Sequence, residues 1–260
     1  MKQYMSGRQE NAVEPAEGII GGRNAIREVL ASGRDIDKIF VARGAREGSI
    51  ATLIATARER GIPVIEVDRR KLDMLCGQVP HQGIVASVAA RSYCEPEDIL
   101  ALAAARGEPP FLLIADEIED PHNLGALIRT AECCGVHGLI LPKRHAAGLT
   151  AVAAKASAGA VEHMLIARVS NLVCTVEELK KKGIWFYAAD MAGVPYHACD
   201  CRGAAALVLG SEGFGISRLL REKCDFVVSI PMYGLLNSMN VSAAGAILLS
   251  EFARQRHAVK

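Results

Sequence analysis

The chain has 260 residues and a formal net charge of +1; half of its residues are apolar, only 5% are aromatic, and Gly and Ala are abundant. That length accommodates one large or two modest domains, and the balance is that of α/β enzymes rather than of disordered or fibrous chains. No apolar run reaches the roughly 20 residues that span a bilayer and the N-terminal stretch lacks an apolar signal core, so no membrane partner is expected and the cytoplasm is the expected location.

Residues 1–17 are polar, contain Pro15, and are expected to form a mobile tail. From 18 to 92 the pattern is a small α/β domain: IIGGRNAIREVLASG (19–33) reads as a helix stopped by Gly33, followed by the strand KIFVARG, the helix SIATLIATARERG, the strand PVIEVD, the helix RRKLDMLCG and the strand GIVASVAA. Residues 1–92 together are mildly basic, with 14 Lys and Arg against 11 Asp and Glu, where the rest carries 16 against 18. Arg23, Arg27, Arg69, Arg70, Lys71 and the HQG loop (81–83) are candidates for phosphate contacts, weighed against a solvated basic face. Three prolines around a short helical pattern mark 93–110 as a linker.

The second domain, 111–260, opens with the buried strand FLLIA and an acidic turn. PHNLGALIRTAECCG follows as loop and helix, with Asn123 at its start and Arg129 inside it. Strands VHGLILPKR, VEHMLIARV, IWFYAAD and AALVLG alternate with helices at 148–160, at TVEELKKKG (where Thr175 and Glu178 have capping-box spacing) and at ISRLLREKC. The strand FVVSI then enters a polar loop, and VSAAGAILLSEFARQ is a helix with Asn240 or Ser242 as its cap and room for close packing at Ala243, Ala244 and Gly245. Strand and helix alternate throughout, which predicts a mostly parallel sheet covered on both faces.

The eight cysteines, at 76, 94, 133, 134, 174, 199, 201 and 224, form no CxxC pair and have no His at zinc spacing. They are read as reduced thiols, the CxC at 199–201 included, and no metal is expected.

Ligands of parallel sheets bind beyond the carboxyl ends of the strands, which draws attention to EIEDPHN (117–123), GSEGFG (210–215) and IPMYGLLNSMN (230–240). GSEGFG is GxxGxG, not the GxGxxG of a dinucleotide site, and Glu212 would repel a pyrophosphate. A Gly-rich loop with a carboxylate suits a ligand bearing hydroxyls or positive charge. A nicotinamide-dependent oxidoreductase is therefore disfavoured.

DPHNLGALIRTAECCGVHGLIL, LVLGSEGFGIS and SIPMYGLLNSMNVSAAGAILLSE resemble the three motifs of the SpoU (TrmH) family, S-adenosylmethionine-dependent RNA ribose 2′-O-methyltransferases of the SPOUT class. The first domain, with GGRNAIREVL and HQGIVA, resembles the L30e-like RNA-binding extension of the RlmB branch, which methylates a guanosine ribose in large-subunit (23S) ribosomal RNA.

The resemblance implies a catalytic domain with a C-terminal trefoil knot and a homodimer packed around the knots. It implies S-adenosyl-L-methionine held by Gly210, Ile230 and Met239, largely through main-chain groups, with Ser211, Glu212, Gly213 and Asn240 lining the same pocket. Met239 stands where the family more usually has Leu. It also implies catalytic roles for Asn123, Arg129, Glu212, Ser238 and Asn240. A guanidinium does not deprotonate in a protein, so Arg129 fits a phosphate anchor and alkoxide stabiliser rather than a general base. A tRNA ribose methyltransferase and a non-catalytic ribosome-assembly factor are the alternative readings, the second opposed by the full residue set.

Overall fold

A computed structural model describes residues 18–45, 48–77, 80–236 and 238–257, so the tail expected at 1–17 lies outside it. The chain divides into two compact units between Val88 and Ala89.

The first unit contains β1 (Ile19–Gly21), α1 (Arg23–Ala31), β2 (Ile36–Ala42), α2 (Ser49–Glu59), β3 (Val64–Val67), α3 (Arg69–Cys76) and β4 (Ile84–Val88). Its sheet has the order β1-β4-β2-β3; β4 runs antiparallel to both neighbours, and β2 and β3 are parallel. Ile19–Gly21, expected to open a helix, is instead an edge strand. Gly22 takes a φ of 98°, which turns the chain out of the strand and lets α1 begin at Arg23. Ile26, Val29 and Leu30 of α1 and Ile50, Leu53 and Ala57 of α2 pack on one face of the sheet, Leu72 and Cys76 of α3 on the other.

The second unit begins before the strand expected to open it. Residues 93–110, read as a linker, contain α4 (Pro96–Arg106), whose first turn is fixed by a reciprocal capping box between Glu95 and Asp98. Ile99 of α4 is fully buried against Gly138, where a β-carbon would come within 2.6 Å of it, and Cys94 forms a β-bridge to Ala167. Alanine-rich helical spacing and flanking prolines look alike in a linker and in a packed helix, and the partner glycine is distant in sequence.

Then follow β5 (Phe111–Ala115), α5 (Pro121–Cys133), β6 (Gly138–Pro142), α6 (Ala151–Ala156), β7 (Leu165–Val169), α7 (Leu172–Lys181), β8 (Trp185–Pro195), β9 (Ala205–Leu209), α8 (Arg218–Lys223), β10 (Phe226–Ser229) and α9 (Val241–Arg256). The six strands are all parallel in the order β10-β8-β9-β5-β6-β7. Phe111, Leu113 and Ala115 of β5 face the core shared with α5 and α9, while Leu112 and Ile114 face the core shared with α4, α7 and α8. Helix α7 starts earlier than Thr175: Asn171 accepts from the N–H of Val173 and Cys174, and Thr175 lies inside the helix, donating to Asn171 O.

Close backbone approach occurs at Gly125 of α5, where a β-carbon would lie 2.5 Å from Ala153 O of α6. Gly245 of α9 instead receives side chains, with Leu127 and Leu209 seated against its bare α-carbon. Phe252 of α9 stacks on Phe111 at 5.8 Å and meets Tyr187 edge-on at 5.1 Å, which fixes α9 against the sheet.

His137, fully enclosed before β6, accepts a hydrogen bond from Phe111 N at Nδ1 (3.0 Å) and meets Glu108 through Nε2 (3.0 Å). Burial pulls the imidazole pKa down, against the opposing pull of the Glu108 carboxylate. Protonation would cost the Phe111 bond its acceptor. A folded-state pKa below the unfolded value means that this contribution to stability is full above the unfolded value of about 6.5 and is lost as pH falls from there through the lowered folded value. The melting temperature should therefore fall with pH in that window, and His137→Gln should flatten the slope; an unchanged slope in the variant would remove His137 from this role.

Candidate active site

Because the six strands are parallel, the loops after β5, β6, β9 and β10 emerge at one edge of the sheet. Helix α9, which follows the edge strand β10, packs against α5 and β9, so the 230–240 segment returns from the edge towards the centre.

That return brings together residues far apart in sequence. Asn240 Nδ2 donates to Asn123 Oδ1 at 2.9 Å and to Glu212 Oε1 at 2.6 Å. Asn123 Nδ2 donates to the same Oε1 at 3.2 Å, as does Val241 N at 3.3 Å. The other end of the Asn240 amide caps α9, its Oδ1 accepting from Ser242 N at 3.0 Å and Ala243 N at 3.3 Å. Asn123 stands in the first turn of α5, whose cap is Asp120, accepting from His122 N at 2.9 Å. Capping and site-building are thus done by one Asn240 side chain, not by alternative ones.

The loop carrying Glu212 is shaped by its glycines. Ser211 and Gly215 exchange two main-chain hydrogen bonds of 3.0 Å, while Gly213 and Gly215 adopt φ values of 98° and 70°. A β-carbon on Gly210 would lie 2.0 Å from the main-chain carbon of Gly215, so only glycine allows this turn. Ile230 is half-buried against the core, and Ser238 and Met239 are exposed on the following loop.

Arg129 is exposed and makes no hydrogen bond with Asn123, Glu212 or Asn240. Six residues beyond Asn123, it lies about 240° round α5 and about 9 Å along it. Ser238 likewise bonds to none of these side chains. One chain therefore assembles Asn123, Glu212 and Asn240, and leaves Arg129 and Ser238 outside that network.

The residues present fit the expected cofactor. All three bonds to Glu212 end on Oε1, leaving Oε2 able to accept from ligand hydroxyls or to face a cation. The bare Gly210 main chain and the apolar Ile230, Leu236 and Met239 offer polar and apolar contacts from adjoining segments. Burial pushes the Cys201 and Cys224 thiols up to about 12, so neither is a thiolate near neutral pH. Among the described residues no group of His, Cys, Asp or Glu side chains is placed to hold a metal, and no helix is long and apolar enough to cross a membrane.

The first unit carries a separate cleft of about 830 Å³, lined by Arg23, Arg43, Asp68, Arg69 and Gln82 among others. Arg23 donates to Gln82 O and to Ser49 Oγ, and Arg43 lies 3.7 Å from Asp68. Helices α1, α2 and α3 begin at its rim with no bond from their own N-cap side chains and no acidic residue in the first turn, and of these starts α1 has its Arg23 N–H taken by Gln82 Oε1 at 3.2 Å. Uncapped N–H groups and guanidinium groups favour anions there. His81, by contrast, turns inward, held by Asp73 at 2.9 Å and Gly83 N at 3.0 Å. Arg43 escaped notice in the sequence, although its place just after the strand KIFVA was a usable signal.

The description "SpoU rRNA Methylase family" matches residues 110–250, and "RNA 2'-O ribose methyltransferase substrate binding" matches residues 19–94. The chain is 46% identical to YacO of Bacillus subtilis, provisionally named a TrmH family tRNA/rRNA methyltransferase, over 92% of this chain and 96% of that one. The chain belongs to the SpoU/TrmH family of RNA methyltransferases.

Family members share the fold. AviRb of Streptomyces viridochromogenes, a SpoU methyltransferase solved with its cofactor AdoMet, superposes with a TM-score of 0.58 at 24% identity, covering 92% of this chain and 90% of its own. The A. aeolicus TrmH/SpoU tRNA modifying enzyme gives 0.54 at 28% identity, covering 62% and 84%.

The double role of Asn240 can be separated. Asn240→Ala removes the cap and should cost about 1 kcal/mol in a denaturant titration. Asn240→Asp keeps the capping oxygen but replaces the amide donor by an oxygen facing Glu212 Oε1 and Asn123 Oδ1, so it should retain the cap while breaking the network. Both should lower methyl transfer about a hundredfold; an active Asn240→Asp would reduce the residue to a cap.

Proposed function

We propose that this protein transfers a methyl group from S-adenosyl-L-methionine to the ribose 2′-hydroxyl of a guanosine in large-subunit ribosomal RNA. The observation that supports it most is the Asn123–Glu212–Asn240 network beside the glycine turn at 210–215. The cofactor supplies a methyl already activated by its sulfonium. The protein's task is to hold the hydroxyl in line and favour loss of its proton. Main-chain groups at Gly210, Ile230 and Met239 hold the cofactor, with Ser211, Glu212 and Gly213 around it. Asn123, Ser238 and Asn240 orient the ribose, and Arg129 anchors the target phosphate and stabilises developing negative charge on the 2′-oxygen.

The RNA must be single-stranded or looped where the target leaves its stack. The Arg23–Arg43–Arg69 cleft of the first unit holds the flanking backbone. A homodimer completes the assembly, a reading supported by the position of Arg129 outside the network of its own chain. The return of the 230–240 segment from β10 to α5 and β9 supports the trefoil knot in the same way.

Labelled methyl transfer to protein-free ribosomal RNA and to bulk tRNA, followed by nucleoside analysis, tests the reading. 2′-O-methylguanosine at one large-subunit loop is expected. Replacing Arg23, Arg43 and Arg69 by Ala should raise the KM for RNA and lower the salt dependence of binding by a slope of about 3. Label in tRNA alone would overturn the substrate, and no transfer to either would overturn the activity.

A further inference from the structure

Asp116, immediately after β5, is a buried carboxylate with no part in the residue set above; it is 5% exposed. Strands β5 and β9 pair in register as far as Ala115 opposite Leu209, so Asp116 stands beside the point where the Glu212 loop leaves the sheet. Its N–H donates to Leu209 O at 2.8 Å, just before the loop. Its Oδ2 accepts from Ser217 N at 2.8 Å, just after it. One residue therefore grips both ends of the segment 210–216. Ser217 is the N-cap residue of α8 and makes no side-chain cap bond of its own, so the Asp116 carboxylate fixes the residue from which that helix starts.

We propose that Asp116 is a positioning residue for methyl transfer: it clamps the two ends of the 210–216 loop so that the Gly210 main chain and the Glu212 carboxylate meet the cofactor in a fixed arrangement. This rests on the methyl-transfer reading. The internal bond pair of Ser211 with Gly215 fixes the shape of the loop, and the Glu212 bonds tie its tip to the starts of α5 and α9, but neither holds its base. Asp116 holds that base, at the end of β9 and at the start of α8. A charged, buried acceptor makes the stronger kind of hydrogen bond to a main-chain N–H, and its loss frees the segment at the α8 end.

Calorimetric titration with S-adenosylhomocysteine, alongside kcat, the KM for RNA and the melting temperature, tests this on the full chain. Asp116→Ala should weaken cofactor-product affinity about tenfold and lower kcat, with the KM for RNA unchanged. Asp116→Asn, which keeps an acceptor oxygen, should stay within about threefold of the parent. Should Asp116→Ala fail to fold, Ser217→Pro deletes the donor at a φ of −55° that proline adopts, and should weaken affinity by a similar factor. A lowered melting temperature with unchanged affinity, in the alanine or the proline variant, would make Asp116 merely structural and overturn the proposal. The affinity readout does not need turnover, so failure of the parent to methylate RNA would count against the reaction and not against the clamp.

Discussion

One carboxylate oxygen, Oε1 of Glu212, receives hydrogen bonds from the start of α5 and the start of α9, while its own loop leaves β9. Three chain segments meet on that atom. The two side-chain bonds are exposed to water and the one from Val241 N is partly buried, and each exposed bond on its own contributes at the low end of the usual range, about 0.5 kcal/mol. Their joint effect is geometric: Asn240 cannot cap α9 through Oδ1 and reach Glu212 through Nδ2 unless the 230–240 segment has returned from the edge strand to the sheet centre. Packing secures that return. Phe252 against Phe111 and Tyr187, and Gly245 against Leu127 and Leu209, fix α9 where the network needs it.

The parallel sheet supplies the other constraint. It delivers the loops after β5 and β9 to one edge, side by side, and the glycines of 210–215 then fold the second loop tightly enough that Glu212 points towards Asn123. The bare main chain at Gly210 follows from the same crowding, because the turn leaves no volume for a β-carbon. Shape and chemistry at this loop have one cause.

Much of this was legible in the residues, and what was not divides along one line. The Asn240 cap, the glycine turn around Glu212 and the alternation of strands and helices are local, set within a few residues, and the sequence pattern displays them. The contact between Asn123 and Asn240, 117 residues apart, was implied only by family resemblance. Strand β1 was mistaken for helix because three residues are too few to show a period, and its identity depends on pairing with β4. The linker proved to be α4 because Ile99 finds Gly138. Asn171 took the cap from Thr175, since several polar side chains near a helix start compete and local pattern does not rank them. Asp116 looked like one carboxylate in an acidic turn; only the registered ends of β5 and β9 reveal its grip on both sides of the loop.

Cofactor binding by this crowded turn is the central claim, and the affinity of Gly210→Ala for S-adenosylmethionine, measured by calorimetry beside the parent protein, tests it most directly. The parent should bind, and the variant, whose β-carbon cannot fit against the Gly215 main chain without moving it, should lose measurable binding and melt at a lower temperature than the parent in its cofactor-free form. Undiminished binding by the variant would contradict a cofactor site at Gly210 and would move it elsewhere on the sheet edge.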